Sequence, residues 1–358
     1  MIQRPSPFIS STLRLVGVVV MAEILALAAI GGSLVPMDAG PADMMVDKTE
    51  RLEREARELL RGFTRGERID PDALTEKLRN LDVHPGLLVI FPILAAAGFA
   101  GVAILLVLGA LQACGIRIKP RGNWAPGTPW LPLDAVEAIL FFGCCQVVLS
   151  VILALFLRVV YGPSAAMELR PEHLAVIYAA AAAATLGLLA WRTPGGLRRL
   201  WSAVRARLGP VWLRLLQGLG GYAVALPLAA AAGLLNPFRE DSSSSNPVIS
   251  MLLTPHSVLG WVLLFFVIGL CAPVFEELVF RACAYPAFRR RWSAPVAVVI
   301  NGLLFGAIHG QLPMLVPLAV LGIVCAALYE LTGSIVPCIV AHSAQNSITL
   351  LYVMWISA

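Results

Sequence analysis

Long apolar runs, separated by shorter polar stretches, recur along almost the whole chain. A helix needs about 20 apolar residues to cross a bilayer whose hydrocarbon core is about 30 Å thick. Runs of that order lie at about 8–35, 86–115, 134–161, 173–191, 211–235, 256–287, 294–311, 313–331 and 334–356. The pattern therefore predicts an all-α fold, namely a polytopic membrane helix bundle of about nine transmembrane helices.

One stretch, residues 37–85, breaks this pattern because it is hydrophilic. Apolar residues recur within it at helical spacing, for example at Leu74, Leu78 and Leu81, amid many charges. We therefore predict a small amphipathic helical hairpin, either outside the membrane or at its surface. The predicted parts are a first transmembrane anchor at 1–36, the hydrophilic helical insert at 37–85, transmembrane helices 2–5 at 86–250 and transmembrane helices 6–9 at 251–358.

Composition agrees with a membrane location. Hydrophobic residues make up 58% and charged residues 14% of the chain, whose mean hydropathy is +0.80, whereas soluble domains are about one quarter charged. The seven cysteines lie in or beside apolar runs and form no Cys-x-x-Cys pair, so neither a disulfide framework nor a zinc-thiolate site is indicated. The net charge of +5 comes from arginines in short loops, and nucleic acid is not an expected partner.

The loops also predict an orientation. Every second loop is basic, as at 117–121, 192–207 and 289–291, while the intervening polar segments are richer in acidic residues. Short cytoplasmic loops of membrane proteins are enriched in Lys and Arg. The amino terminus, which carries Arg4, is therefore predicted to be cytoplasmic and the carboxyl terminus external.

Ionisable side chains within an apolar span are costly to bury and are candidates for function. The sixth run contains Glu276, Glu277 and Arg281. Residues four apart share one face of a helix, whereas neighbours point about 100° apart. Glu277 and Arg281 are therefore expected to pair with each other. Glu276 is left directed at another neighbour, which makes it a candidate general base.

Further polar side chains follow on later spans. His309 ends the seventh run, and His342 and Asn346 lie four apart in the ninth. A lone histidine in a membrane span usually serves packing, but two histidines, a glutamate and an amide in one short region predict a shared site. Together they offer what peptide hydrolysis requires, which is an activated water, stabilisation of the carbonyl oxygen and a proton for the amine. An ion-coupled transporter is the alternative, because such residues also mark ion pathways.

Three motifs occur in order, Glu-Glu-x-x-x-Arg at 276–281, Phe-x-x-x-His at 305–309 and His-x-x-x-Asn at 342–346. In these motifs the chain resembles the CPBP (Abi) family of intramembrane proteases, which includes type II CAAX prenyl endopeptidases and bacteriocin-immunity-type proteins. The resemblance covers about residues 256–350. It implies an intramembrane endopeptidase in the inner (plasma) membrane of a bacterium.

The resemblance also implies roles for single residues. Glu276 would activate a water molecule that His309 helps to hold. His342 and Asn346 would donate hydrogen bonds to the oxyanion of the tetrahedral intermediate. The supporting residues would be Glu277, which is oriented through Arg281, and Phe305.

The sequence leaves the participation of a metal open. Glu276, His309 and His342 would offer zinc one oxygen and two imidazoles, with an open fourth position. The helix His-Glu-x-x-His of soluble zinc proteases is absent, and the best-understood members of the family look metal-independent, so a glutamate-type mechanism without a cofactor is favoured. The expected partners are the lipid bilayer and a peptide or membrane-protein substrate, with or without a lipid group. A non-catalytic membrane scaffold or a bacteriocin self-immunity protein is the remaining alternative.

Overall fold

The computed structural model describes residues 85–113, 132–161, 170–192, 210–234, 251–252, 256–310 and 312–357. Within these residues the chain forms eight helical rods and no β-strand. The rods are α1 (Pro85–Ala113), α2 (Pro132–Tyr161), α3 (Pro171–Arg192), α4 (Val211–Leu234), α5 (Val258–Arg289), α6 (Ala294–Ile308), α7 (Leu312–Thr332) and α8 (Val336–Ser357). The predicted first anchor and hydrophilic insert lie outside the described residues.

The eight rods correspond to the second to ninth predicted spans. Five of them, α2, α3, α4, α5 and α7, are long and apolar enough to cross a membrane. The apolar part of α1, Ile93–Leu108, and the whole of α6 are shorter. The predicted all-α membrane bundle is therefore confirmed, and the protein is an integral membrane protein.

Prolines and glycines account for many of the helix ends. Pro132 and Pro171 each occupy the first position of a helix, where the missing N–H has no partner within the helix in any case. Gly310 and Gly333 follow α6 and α7 with φ angles of 66° and 65°, a backbone conformation that glycine adopts at little cost. These turns are short, and the consecutive helices α6, α7 and α8 pack side by side.

The rod α5 lies among several neighbours. It packs against α2, α3, α6 and α8, while α4 lies against α1, α7 and α8. Aromatic rings occupy the buried space around α5, with Phe275 and Phe280 on α5 itself and Phe305 on α6. The charged residues of the sixth run are therefore held inside the bundle instead of facing lipid.

Helices α6 and α7 approach closely because glycines face each other across their contact. A Cβ placed on Gly322 of α7 would lie 2.9 Å from the Cα of Gly302 and 2.9 Å from the Cβ of Phe305, both on α6. Small residues of this kind let the backbones of membrane helices come together. The contact sets the depth at which α6 carries Phe305 and, one turn later, His309.

Replacing Gly302 by alanine is expected to reduce the free energy of unfolding by about 1–3 kcal/mol, the usual cost of overpacking. The new Cβ would lie 2.4 Å from Ile323 Cγ1, 2.6 Å from Ile323 N and 2.9 Å from Ala319 O, and backbone atoms cannot rotate away. Thermal unfolding of the purified protein in detergent measures the effect. Gly187→Ala is the matched control, because a Cβ at Gly187 meets no atom within 4 Å. Equal melting temperatures for the two variants would contradict the close packing.

Candidate active site

The rod α5 is not a uniform α-helix. Two π-helical segments, Phe265–Cys271 and Leu278–Ala284, enclose a short α-helical segment, Ala272–Glu277. Glu276 and Glu277 end that short segment. A π-helical turn inside an α-helix shifts the direction of the side chains that follow it and occurs frequently at functional sites. The side chains of Glu276 and Glu277 therefore point in other directions than they would in a continuous α-helix.

Pro273 leaves a backbone carbonyl of α5 without its usual donor, and a side chain of α8 bonds to that carbonyl. In the first π segment the N–H of Ala272 bonds to the carbonyl of Val267, five residues earlier. The same spacing would assign the carbonyl of Ile268 to residue 273, but proline has no N–H. Asn346 on α8 supplies the donor instead, because its Nδ2 lies 2.9 Å from Ile268 O. One hydrogen of the Asn346 amide is thereby used, while its second hydrogen and its oxygen are not used by this bond.

The predicted ion pair within α5 is present. Arg281 Nη1 donates to Glu277 Oε1 at 3.0 Å, and both side chains are fully buried. Arg281 Nη2 also donates to the carbonyl of Gly322 on α7 at 2.8 Å, and its guanidinium carbon lies 5.0 Å from the ring centre of Phe305. A buried ion pair needs such additional contacts to offset the loss of hydration. The guanidinium thus joins α5, α6 and α7.

His342 lies beside both carboxylates. Its Nδ1 is 3.0 Å from Glu277 Oε1, and its Nε2 is 3.8 Å from Glu276 Oε2. A carboxylate can only accept a hydrogen bond, so Nδ1 carries a hydrogen and donates it to Glu277. This bond sets the orientation of the imidazole, because it leaves Nε2 as the nitrogen that faces Glu276. The motifs did not predict that Glu277 would hold His342 as well as Arg281.

Glu276 has one oxygen bonded and one without a hydrogen-bond partner. Tyr178 on α3 donates to Glu276 Oε1 at 3.5 Å and to the carbonyl of Ala272 at 3.3 Å. Glu276 Oε2 is buried and makes no hydrogen bond within the described residues. The side chain is 15% exposed. A partly accessible carboxylate with an unsatisfied oxygen that faces an imidazole nitrogen is suited to bind and deprotonate a small polar molecule.

Phe305 contacts both late histidines. Its ring centre lies 5.1 Å from that of His309 and 5.2 Å from that of His342. His309 Nδ1 lies 2.7 Å from the carbonyl of Phe305, so this nitrogen carries a hydrogen and donates it. Nε2, the second ring nitrogen, is not used by this bond. Within the described residues, His309 makes no hydrogen bond or ion pair with Glu276. The imidazole nearest the Glu276 carboxylate is therefore that of His342.

Two participants were missed by reasoning from the sequence. Tyr178 is the first, and its only signal was a hydroxyl within an alanine-rich apolar span. Asn301 is the second, since it is fully buried on α6 and its Nδ2 donates at 3.0 Å to the carbonyl of Phe280 in the second π segment. An asparagine from a neighbouring helix thus bonds to each π segment of α5.

The residues considered for zinc are not grouped as a ligand set in this structure, and the participation of a metal stays a prediction. Catalytic zinc sites in proteins use three protein ligands and leave a fourth position open. Across the described ranges, no three side chains of His, Cys, Asp or Glu are grouped so as to hold a metal ion. Glu276, His309 and His342 therefore do not form such a ligand set.

Comparison with known proteins finds one family model that is similar to the carboxyl-terminal part of the chain. Residues 258–348 match the protein-family model described as type II CAAX prenyl endopeptidase Rce1-like. No curated protein and no solved structure matches the chain. The matched range contains all three motifs and extends from α5 into α8. Residues 258–348 are thus similar to the Rce1-like type II CAAX prenyl endopeptidases, in agreement with the resemblance to the CPBP family that the motifs had indicated.

Proposed function

We propose that this protein is an intramembrane endopeptidase in which Glu276 activates a water molecule for attack on a peptide bond. The observation that carries the proposal is the buried Glu276 Oε2, which lacks a hydrogen-bond partner in the described structure and lies 3.8 Å from His342 Nε2. One water molecule can hydrogen-bond to both atoms across such a separation. The water would thus be held by the Glu276 carboxylate, which is also the group that accepts its proton.

The reaction follows from this placement. Glu276 Oε2 takes a proton from the water, and the water oxygen forms a bond to the carbonyl carbon of the substrate. The carbonyl oxygen becomes an oxyanion in the tetrahedral intermediate. Glu276 then returns its proton to the amide nitrogen as the C–N bond breaks and the C=O bond re-forms, which gives a carboxylic acid and an amine. A single carboxylate thus acts first as base and then as acid.

His342 and Asn346 are the proposed oxyanion donors. His342 donates from Nε2 when both ring nitrogens carry hydrogen, while its Nδ1 lies 3.0 Å from Glu277 Oε1. The second amide hydrogen of Asn346 supplies the other donor. Preorganised donors of this kind each contribute about 3–4 kcal/mol to catalysis in other enzymes.

His309 is proposed to help hold the water or the substrate. Its Nδ1 is bonded to the carbonyl of Phe305, which leaves Nε2 directed away from its own helix. The Phe305 ring, which contacts His309, His342 and Arg281, would set the spacing between the two imidazoles. Neither role requires a metal ion.

The proposed substrate is a peptide segment or membrane-protein tail that reaches the site from the bilayer. The family name points to carboxyl-terminal segments that follow a prenylated cysteine. A bacterial inner membrane is the proposed location, and the alternation of basic loops favours a cytoplasmic amino terminus and an external carboxyl terminus. Arg289, Arg290 and Arg291 then mark the cytoplasmic end of α5, and Glu276 lies about 20 Å from them along the helix axis.

The test is cleavage of a panel of synthetic peptides by the purified protein in detergent or vesicles. The panel pairs each carboxyl-terminal peptide with and without a prenyl group on its cysteine, and mass spectrometry identifies the cut bond. We expect at least one peptide of a pair to be cleaved. Its rate of cleavage is expected to be the same before and after treatment of the protein with a metal chelator. Protein purified without chelator is expected to contain less than one equivalent of zinc.

Two results would contradict this proposal in different ways. Loss of cleavage on chelation and its return on addition of zinc would replace the glutamate-type mechanism by a metal-dependent one. No cleavage of any peptide, combined with identical peptide ends in cells carrying the wild-type chain and cells carrying Glu276→Gln, would indicate a non-catalytic membrane protein.

A further inference from the structure

Tyr178 lies on α3, outside the range that matches the Rce1-like family model. Its side chain is 8% exposed, and its ring packs edge-on against Phe142 of α2 and Phe275 of α5, with ring centres 5.4 Å and 6.1 Å away. These contacts fix the ring against α2 and α5. The position of its hydroxyl is therefore set by packing, independently of the polar groups that it reaches.

That hydroxyl reaches the proposed general base. It lies 3.5 Å from Glu276 Oε1 and 3.3 Å from the carbonyl of Ala272, which is one helical turn before Glu276 on α5. A tyrosine hydroxyl has one hydrogen, and the carboxylate has none to give, so the direction of donation is from tyrosine to glutamate. The hydrogen is shared between the carboxylate and the carbonyl.

We propose that Tyr178 is a positioning residue that selects which oxygen of Glu276 acts as the base. A glutamate side chain has three rotatable bonds, and its terminal bond has a broad energy profile. The hydrogen bond from Tyr178 restrains this terminal rotation through Oε1. Oε2 is then left facing His342 Nε2, in the position that the proposed water requires. The inference rests on the proposed function and extends it to a helix that the family match does not include.

The test compares Tyr178→Phe with wild type in the peptide assay. Phenylalanine keeps the ring and its packing but removes the hydroxyl. We expect kcat to fall about 10- to 100-fold because the carboxylate is less well oriented, while KM changes less than twofold. Tyr222→Phe is the matched control, since Tyr222 is also buried, on α4, and makes no hydrogen bond to Glu276. Unchanged kcat in Tyr178→Phe, in a protein whose wild type cleaves, would overturn the inference and leave the proposed function intact.

A second measurement does not depend on cleavage. Melting temperatures are compared for wild type, Tyr178→Phe, Glu276→Leu and the double variant. If the hydrogen bond exists, Tyr178→Phe lowers the melting temperature more when it is made in the wild-type protein than when it is made in the Glu276→Leu variant. In that variant Tyr178 has only its bond to the Ala272 carbonyl left to lose. Additive shifts would overturn the inference even in a chain that cleaves no peptide.

Discussion

Replacing Glu276 by glutamine is expected to lower kcat/KM for peptide cleavage by about 10²- to 10⁴-fold, the usual contribution of a general acid or base. Glutamine keeps the size of the side chain and an oxygen that accepts from Tyr178, but its amide cannot take a proton from water. The melting temperature is expected to stay close to that of wild type. Initial rates with a peptide identified from the panel, together with thermal unfolding, measure both quantities.

Glu172→Gln is the control for this experiment. Glu172 is an exposed glutamate in the first turn of α3, so the same change of charge occurs away from the site. Its rate is expected to equal that of wild type. Retention of full activity by Glu276→Gln would rule out the proposed base, whatever the behaviour of the control.

Replacing Arg281 by alanine is expected to lower the free energy of unfolding by about 3–5 kcal/mol, the usual cost of breaking a buried ion pair. Glu277 would remain fully buried, with its charge opposed only by His342. The variant also loses the bond to Gly322 and the contact with the Phe305 ring. Thermal or denaturant unfolding in detergent, with cleavage measured on the fraction that folds, is the experiment.

Arg291→Ala is the matched control, because Arg291 is exposed after the end of α5.

The double variant Glu277→Leu/Arg281→Met separates the contribution of the ion pair to protein stability from its role in orienting His342. Replacement of a whole buried ion pair by apolar residues of similar volume is often neutral for stability or better. We therefore expect stability to recover while cleavage remains impaired, because His342 Nδ1 has lost its acceptor. A wild-type melting temperature for Arg281→Ala would show that the ion pair contributes little to the bundle.

A group of side chains at the carboxyl-terminal end of α5 also joins charged residues by hydrogen bonds, outside the site. Glu330 of α7 accepts from Tyr285 at 2.7 Å and from Arg289 at 3.2 Å. These bonds join α5 to α7 beyond the second π segment. The segment that carries Glu276 and Glu277 is thus restrained at this end by charge and at the other by the bond from Asn346 to Ile268.

Much of the fold followed from the sequence because apolar length is a local property. The predicted run 211–235 corresponds to the helix Val211–Leu234, and the run 294–311 corresponds to Ala294–Ile308. The pairing of Glu277 with Arg281 followed in the same way, since two residues four apart on a helix are neighbours whatever surrounds them. The π segments of α5 did not follow, because no spacing of apolar residues indicated them.

The candidate site also contains contacts that the sequence predicted and contacts that it did not. The motifs predicted a shared site of Glu276, His309, His342 and Asn346, with Glu277 and Arg281 as a supporting pair. In the structure Glu277 pairs with Arg281, and His342 lies beside both Glu276 and Glu277. The motifs did not indicate that Asn346 donates to the backbone of α5, since that bond depends on the carbonyl that Pro273 leaves without a donor. Neither did they indicate Tyr178, whose contact with Glu276 spans 98 positions along the chain.

The sequence by itself determined that this protein is a membrane helix bundle with a polar cluster whose motifs resemble those of the CPBP family, because apolar runs and motif spacings are local properties of the chain. Only the tertiary structure decided which nitrogen of His342 faces which carboxylate and which oxygen of Glu276 is held by Tyr178. Those contacts depend on how α3 and α8 rest against α5. The packing of whole helices sets that arrangement, and no short stretch of sequence encodes it.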